Sequence, residues 1–244
     1  MLRIDVKDIE QLLYRRIYRV WTEIQVLPAR SDAVELAVSM KSKFSNPLMN
    51  LAWGAAIFCL LSSTSRSADT GMHPLFNGKD LTGWKVPDPN PFWKVQDGVL
   101  IGENDEQRKG HVLFTEKEFK DFVIETDVRW SGEIDSGIML RKPELQLQLG
   151  ISRSLKKDMS CSFYTGKYPE AGQAHDVEKL WKPDAWNKVK LQAKGDVFTV
   201  WLNGQKVCEF TDPKYKDPAP IGLQIHPGLK MKVEYRNVTI KELD

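Results

Sequence analysis

Residues 68–244 predict an all-β fold, a two-sheet jelly-roll sandwich, and three observations carry that expectation. The segment Phe122-Val-Ile-Glu-Thr-Asp-Val-Arg-Trp130 alternates apolar and polar residues over most of its length. It sets Phe122, Ile124, Val128 and Trp130 on one face and Glu125, Asp127 and Arg129 on the other, the period of a half-buried strand. The pair Asn203-Gly204 separates two apolar runs, 197–202 and 207–210. Both residues tolerate positive φ, so the pair predicts a tight hairpin. No stretch of this region keeps a helical period beyond a turn or two around 177–180. Short strands with turn signals every 8–12 residues are the pattern of a sandwich or jelly roll.

The strands follow in order. Segments 92–95, 98–102 and 111–115 precede the alternating run at 122–130. Segments 136–142 and 144–149 follow it, then 160–164. Val189-Lys-Leu-Gln-Ala-Lys194 alternates cleanly, and the 197–202 and 207–210 hairpin comes next. Segments 220–226 and 231–242 close the chain. No internal repeat or low-complexity linker divides the region, which reads as one domain.

The first 67 residues are of another kind. Between Asn50 and Ser63 runs an apolar stretch of about a dozen residues, short of the roughly 20 a membrane-spanning helix needs and suited to the apolar part of an export signal. Met40-Lys-Ser-Lys43 supplies a basic start, and Ser65-Arg-Ser67 supplies small residues before a cleavage point. The expectation is a signal peptide at 40–67, a mature protein starting near Ala68, and export to the periplasm, cell surface or exterior. No stable membrane span then remains after cleavage. Residues 1–39 read as an upstream extension with a weak amphipathic helix (Ile9, Leu12, Leu13, Ile17, Val20). A helical segment with a membrane anchor is the alternative.

Composition excludes some functions. Residues 1–68 hold nine Lys/Arg and six Asp/Glu, which leaves 26 and 27 for residues 69–244, a net charge of −1. That balance offers no clustered basic face of the kind nucleic acid requires. No His-Glu-x-x-His or paired Cys-x-x-Cys pattern is present, nor a phosphate-binding glycine motif. Cys161 and Cys208 are the cysteines of the mature part; an oxidising compartment would allow a disulfide, and two buried free thiols are the other outcome.

Several ordered motifs carry a resemblance: Phe76-Asn-Gly-Lys-Asp-Leu-Thr-Gly-Trp84, Trp93-Lys-Val-Gln-Asp-Gly-Val-Leu100, Ser136-Gly-Ile-Met-Leu-Arg141, Trp186-Asn187, Leu202-Asn-Gly204, Ile221-Gly-Leu-Gln224 and Arg236-Asn-Val-Thr-Ile-Lys241. Together they make residues 73–243 resemble the 3-keto-disaccharide hydrolase domain family, long catalogued as a domain of unknown function. The resemblance implies a sandwich of concanavalin A-like lectin/glucanase type. It also implies a carbohydrate substrate and, for some members, cleavage of glycosides already oxidised at C3. The sequence departs from the family pattern at Ile225-His226-Pro227-Gly228 and at Pro143-Glu-Leu-Gln-Leu-Gln148.

Candidate site residues follow from chemistry placed on strand faces. Glu144, Gln146 and Gln148 share one face of a strand, at about 6.6 Å per same-face step, a spacing that suits the hydroxyls of a sugar. Arg141 from the preceding strand and Gln224 from the 220–226 strand are expected beside them. Asp135, Tyr164 and His175 complete the expected binding set. Glu144 and His226 are the candidates for acid–base work, since abstraction of a C2 proton beside a C3 carbonyl needs one tuned base. Arg141 is expected to stabilise the developing enolate oxygen. Tyr164, Tyr168, Trp181 and Trp84 lie in or beside expected loops, where rings could stack on a sugar. Glu133-Ile-Asp135-Ser-Gly137 matches two thirds of the acidic triplet of laminarinase-type glucanases and lacks its third acid, against ordinary retaining hydrolysis. The residues leave room for a divalent cation at Asp135, Glu144 or a histidine and name no ligand set. The alternative to an enzyme is a non-catalytic, lectin-like binding module, and after it a structural protein. The oligomeric state is left open.

Overall fold

The computed structural model describes residues 71–244; the expected helix at 1–39 and the export signal at 40–67 lie outside the described residues. Asp69–Asp244 forms one compact unit. Its strands, in chain order, are β1 (His73–Pro74), β2 (Trp84–Lys85), β3 (Trp93–Gln96), β4 (Val99–Glu103), β5 (His111–Phe119), β6 (Phe122–Trp130), β7 (Asp135–Arg141) and β8 (Leu145–Ser152). Next come β9 (Lys157–Asp158), β10 (Phe163–Tyr164), a 3-10 turn (Glu170–Gly172) and one short helix, α1 (Val177–Leu180). The last strands are β11 (Asn187–Lys194), β12 (Val197–Leu202), β13 (Gln205–Thr211), β14 (Ala219–Ile225) and β15 (Lys232–Glu242). Among the described residues no helix is long and apolar enough to cross a membrane.

The strands form two antiparallel sheets. One runs β13-β12-β11-β6-β15-β4-β3, with β1 added beside β15; the other runs β10-β8-β7-β14-β5-β2, with β9 added beside β8. Alternation decides which side chains meet between them. Ile124, Val128, Leu191 and Val200 face inward from the first sheet, and Ile138, Leu147, Leu149 and Leu223 from the second; all are buried. Ser136 ties the layers together: its hydroxyl donates to the carbonyl of Gln224 (2.6 Å) and lies 3.3 Å from the buried hydroxyl of Tyr235.

The Asn203-Gly204 hairpin forms as expected, with φ of 50° and 90° joining β12 to β13. Two motif asparagines turn out to organise loops. Asn187 is fully buried and bonds Lys182 through both its amide groups, while Asn203 donates to Asn187 Oδ1 (2.9 Å) and to the Leu180 carbonyl (2.8 Å). Cys161 and Cys208 are both buried and unpaired. Burial pushes both thiols up to about 12.

Two irregularities correct the expected strand faces. The expected strand at 144–149 starts one residue later, so Glu144 sits exposed in the turn before β8. Within β7 the pairing with β8 shifts between Met139 and Arg141: Met139 lies opposite Gln146, yet Arg141 lies opposite Leu145. The extra residue is a β-bulge, and it inverts the face of everything beyond it. Arg141, expected beside Gln146, therefore turns inward with Leu145.

Candidate functional site

Register across the outer face of the second sheet lines up three rows of side chains. Gln148 and Gln224 flank Gly137 in one row. In the next, Gln146 and Gly222 flank Met139, with Tyr164 beyond Gln146. In the third, His226 follows Ile225, the partner of Ser136, and its backbone N–H donates to the carbonyl of Asp135 (3.2 Å). The pairing thus continues one residue past β14 and brings His226 opposite Asp135. Directly opposed residues hold their Cβ atoms about 4.5–5.5 Å apart.

A directed chain of amides crosses this face. Gln146 Nε2 donates to Gln148 Oε1 (2.9 Å), and shares its hydrogens with Gln224 Oε1 (3.1 Å) and the Ser136 carbonyl (3.3 Å). Gln148 Nε2 in turn donates to Asp135 Oδ1 (2.9 Å). Gln146, Gln148 and Asp135 are only 3%, 2% and 6% exposed. Polar groups this deep persist because each has a partner. Glycine makes room for the chain: a Cβ on Gly137 would stand 2.2 Å from Gln146 Nε2. Among the described residues no Lys, Arg or His forms an ion pair with Asp135, whose Oδ2 receives only a long bond from the Arg153 backbone N–H (3.4 Å).

His226 is half-buried at the rim. Its Nδ1 lies 2.8 Å from the Pro227 carbonyl. A carbonyl only accepts, so this bond assigns the proton to Nδ1 and leaves Nε2 with a lone pair in the neutral ring. The Asn104 side chain holds the His226 carbonyl (2.9 Å). At the other edge the rings of Tyr164 and Tyr168 lie 5.0 Å apart. Burial raises the Tyr168 pKa; a Ser152 hydrogen bond lowers it, and the charge of Asp135 raises it further. Tyr168 thus belongs to this cluster, although the sequence marked it only as a loop aromatic.

Asp135, Gln146, Gln148, Gln224, Tyr164 and His226 share this side of the sheet, and three other candidates stand apart. Glu144 lies beyond the far end of β8; from Leu145 to Gly150, the partner of Asp135, the strand spans roughly 17 Å. Glu144 and His226 therefore cannot serve one sugar ring. Arg141 has a fully buried side chain that donates to the carbonyls of Tyr215 and Phe119 (3.2 Å each) and to Asp121 (3.1 Å). Its guanidinium lies 5.6 and 5.7 Å from the rings of Phe122 and Phe198. Burial pulls its pKa down, and Asp121 opposes the shift. It is a core tether and meets no ligand. His175 is exposed and hangs by its backbone N–H from Val207 of β13, at the edge of the other sheet.

Two of the expected stacking rings are also placed elsewhere. Trp84 is buried in the core, and Trp181 stacks on Trp130 with centroids 4.0 Å apart. Glu133 is exposed in the turn before β7. Among the described residues no three His, Cys, Asp or Glu side chains converge as a metal site, and Asp135 and Glu144 are too far apart to share an ion. The face offers a carboxylate, an imidazole lone pair and a row of amides, with two tyrosines at one edge. Such a set can bind neighbouring hydroxyls and move one proton.

Comparison with known proteins bears on the family and the fold. The family described as 3-keto-alpha-glucoside-1,2-lyase-like domain matches residues 71–241. A candidate glycosyl hydrolase from Parabacteroides distasonis has a similar structure, with TM-score 0.55 and 24% identity over 71% of this chain and 94% of that one. A protein with a galectin-like fold from Bacillus subtilis gives 0.52 and 15% over 70% and 94%. The kappa-carrageenase of Pseudoalteromonas carrageenovora, solved with a carrageenan oligosaccharide, gives 0.51 and 12% over 73% and 98%. At these identities the structures share the fold. No curated protein matches the chain.

Proposed function

The chain belongs to the 3-keto-alpha-glucoside-1,2-lyase-like domain family, and from that premise we propose that it is an exported enzyme that cleaves glycosides oxidised at C3. The observation that carries the reading is His226 lying opposite Asp135 on a glutamine-lined face. The export signal expected from the sequence at 40–67 supports secretion.

The chemistry needs little from the protein. A ketone at C3 acidifies the C2 proton, and His226 Nε2 takes it. The C2–H electron pair forms the C1–C2 double bond as the C1–O bond breaks. The departing oxygen then takes the proton from the imidazolium. Addition of water at C1, with protonation at C2, completes a net hydrolysis. Gln224 Oε1 is bound to Gln146, so its Nε2 is the end presented to a C3 oxygen, where donors stabilise developing charge. Asp135, fixed by Gln148, accepts from a sugar hydroxyl, and Tyr164 and Tyr168 form the wall beside the ring.

A binding module without turnover is the second reading, favoured by how fully Gln146, Gln148 and Asp135 satisfy one another. Product analysis separates the two. The full chain is incubated with a set of 3-keto-glucosides and their unoxidised parents, with and without divalent cation. Release of 3-keto-glucose or its 1,2-unsaturated product from the oxidised set alone is the expected result. Saturable sugar binding with no conversion of either set would select the binding module.

A further inference from the structure

The rim of this face next to His226 carries positive charge that the protein itself does not neutralise. Arg129, Arg141 and Arg236 each pair with a carboxylate, of Glu234, Asp121 and Asp127 respectively. Arg153 has no such partner among the described residues. Its backbone N–H touches Asp135 Oδ2 (3.4 Å), and its Nη1 donates to the carbonyl of Pro227 (2.9 Å). The guanidinium therefore reaches from the loop after β8 to the loop after β14, over the residue next to His226. Gly228 allows that reach: it has φ +91°, and a Cβ there would stand 2.5 Å from Nη1. Lys156 follows in the first loop, Lys157 opens β9 and Lys230 lies in the second loop, and none of them makes an ion pair among the described residues. With Nη1 engaged, the Nε–Nη2 edge has no protein partner among the described residues. That edge is the fork that binds carboxylate or sulfate oxygens in pairs.

We propose that the glycan taken by this face bears an anionic group, the carboxylate of a uronic acid or a sulfate ester, held by the free edge of Arg153. The inference rests on the carbohydrate reading above and adds the substrate class. Arg153 begins beside Asp135 and leads away toward Pro227, so the anion sits on the sugar next to the one over Asp135. Its negative charge is thereby kept off the Asp135 carboxylate.

The test is calorimetric titration of the full chain with a neutral glucose disaccharide, the same disaccharide with one glucuronic acid, and the same with one sulfate. Each is run at low and high ionic strength, on the wild type and on Arg153→Gln, with circular dichroism to check the fold. One anionic form is expected to bind about tenfold tighter than the neutral one at low salt, and which form gains identifies the anion. High salt should shrink the gain, and Arg153→Gln should abolish it while leaving the neutral affinity unchanged. Lys156→Gln should retain most of it, because a surface lysine offers no fixed fork. Equal affinity for all three, or a preference that survives in Arg153→Gln, overturns the proposal and leaves the carbohydrate reading standing. Failure of all three to bind would overturn both.

Discussion

Gln148 donates from Nε2 to Oδ1 of Asp135 at 2.9 Å, across the β7–β8 pairing, and both side chains are nearly closed to solvent. The bond fixes the carboxylate from the side of the sheet opposite His226. Asp135 is therefore held through its carboxylate by a buried amide and through its backbone carbonyl by the His226 N–H.

Replacing His226 by Ala should lower turnover of a 3-keto-glucoside by about 10²–10⁴, the usual worth of a positioned acid–base group. The His226 side chain bonds only its neighbour's carbonyl, so the fold and the KM should change little. Steady-state kinetics and a melting curve on the same preparation check both points.

Asp135→Asn keeps an oxygen for Gln148 to donate to, so the fold should survive. The sugar loses a charged acceptor, and such bonds contribute about 1.5–3 kcal/mol. Affinity should fall about 10- to 100-fold, measured by calorimetry against an unreactive glycoside.

Gly137→Ala forces a methyl group onto Gln146, whose amide would be 2.2 Å away. Gln146 must swing out and give up Gln148 and Gln224. Overpacking of this kind costs about 1–3 kcal/mol, and sugar binding should be lost with it. A urea titration paired with a binding titration reads the two effects.

Arg141→Met should destabilise by about 3–5 kcal/mol, because it removes the charged partner of Asp121, which keeps only the Gly195 N–H, and the side-chain donor to two carbonyls. Glu144→Gln, in an exposed turn, should alter neither stability nor turnover. Chemical denaturation distinguishes the pair, and loss of activity in Glu144→Gln with an intact fold would contradict the placement of the site.

His111 accepts a hydrogen bond from Trp93 Nε1 (3.0 Å) and stacks against Phe92 with centroids 5.3 Å apart. Burial lowers its pKa from 6.5. Below that value the unfolded chain takes up a proton that the folded chain refuses, so stability falls as pH drops from about 6.5 toward the folded-state pKa. Unfolding midpoints taken between pH 7 and 5 should decline, and His111→Gln should flatten the decline.

Strand alternation was enough to place much of the face. Gln146 and Gln148 had to oppose Leu145, Leu147 and Leu149, because side chains on a strand repeat every two residues. The same rule oriented β6 and β11, and the Asn203-Gly204 pair announced its hairpin through the φ values it tolerates. Gln224 was legible as a polar position on an apolar strand, whereas Asp135 was expected just before a strand at 136–142 and proves to open β7. Tyr168 was harder to read, since an aromatic in a loop has no periodicity to orient it.

What the chain could not declare locally was partnership and register. Arg141 has the parity of an outward residue until a single bulge turns it inward, and that bulge exists only in the pairing of β7 with β8. His175 and His226 read alike as isolated histidines; one is fastened to β13 of the first sheet and the other to Asp135 in the second. Residue order was enough to specify the sandwich and the side of each regular strand, because alternation is a property of one strand. The tertiary structure alone decided that His226 meets Asp135 while Glu144 does not, because that contact depends on which strands lie side by side and on the residue at which their hydrogen bonds begin.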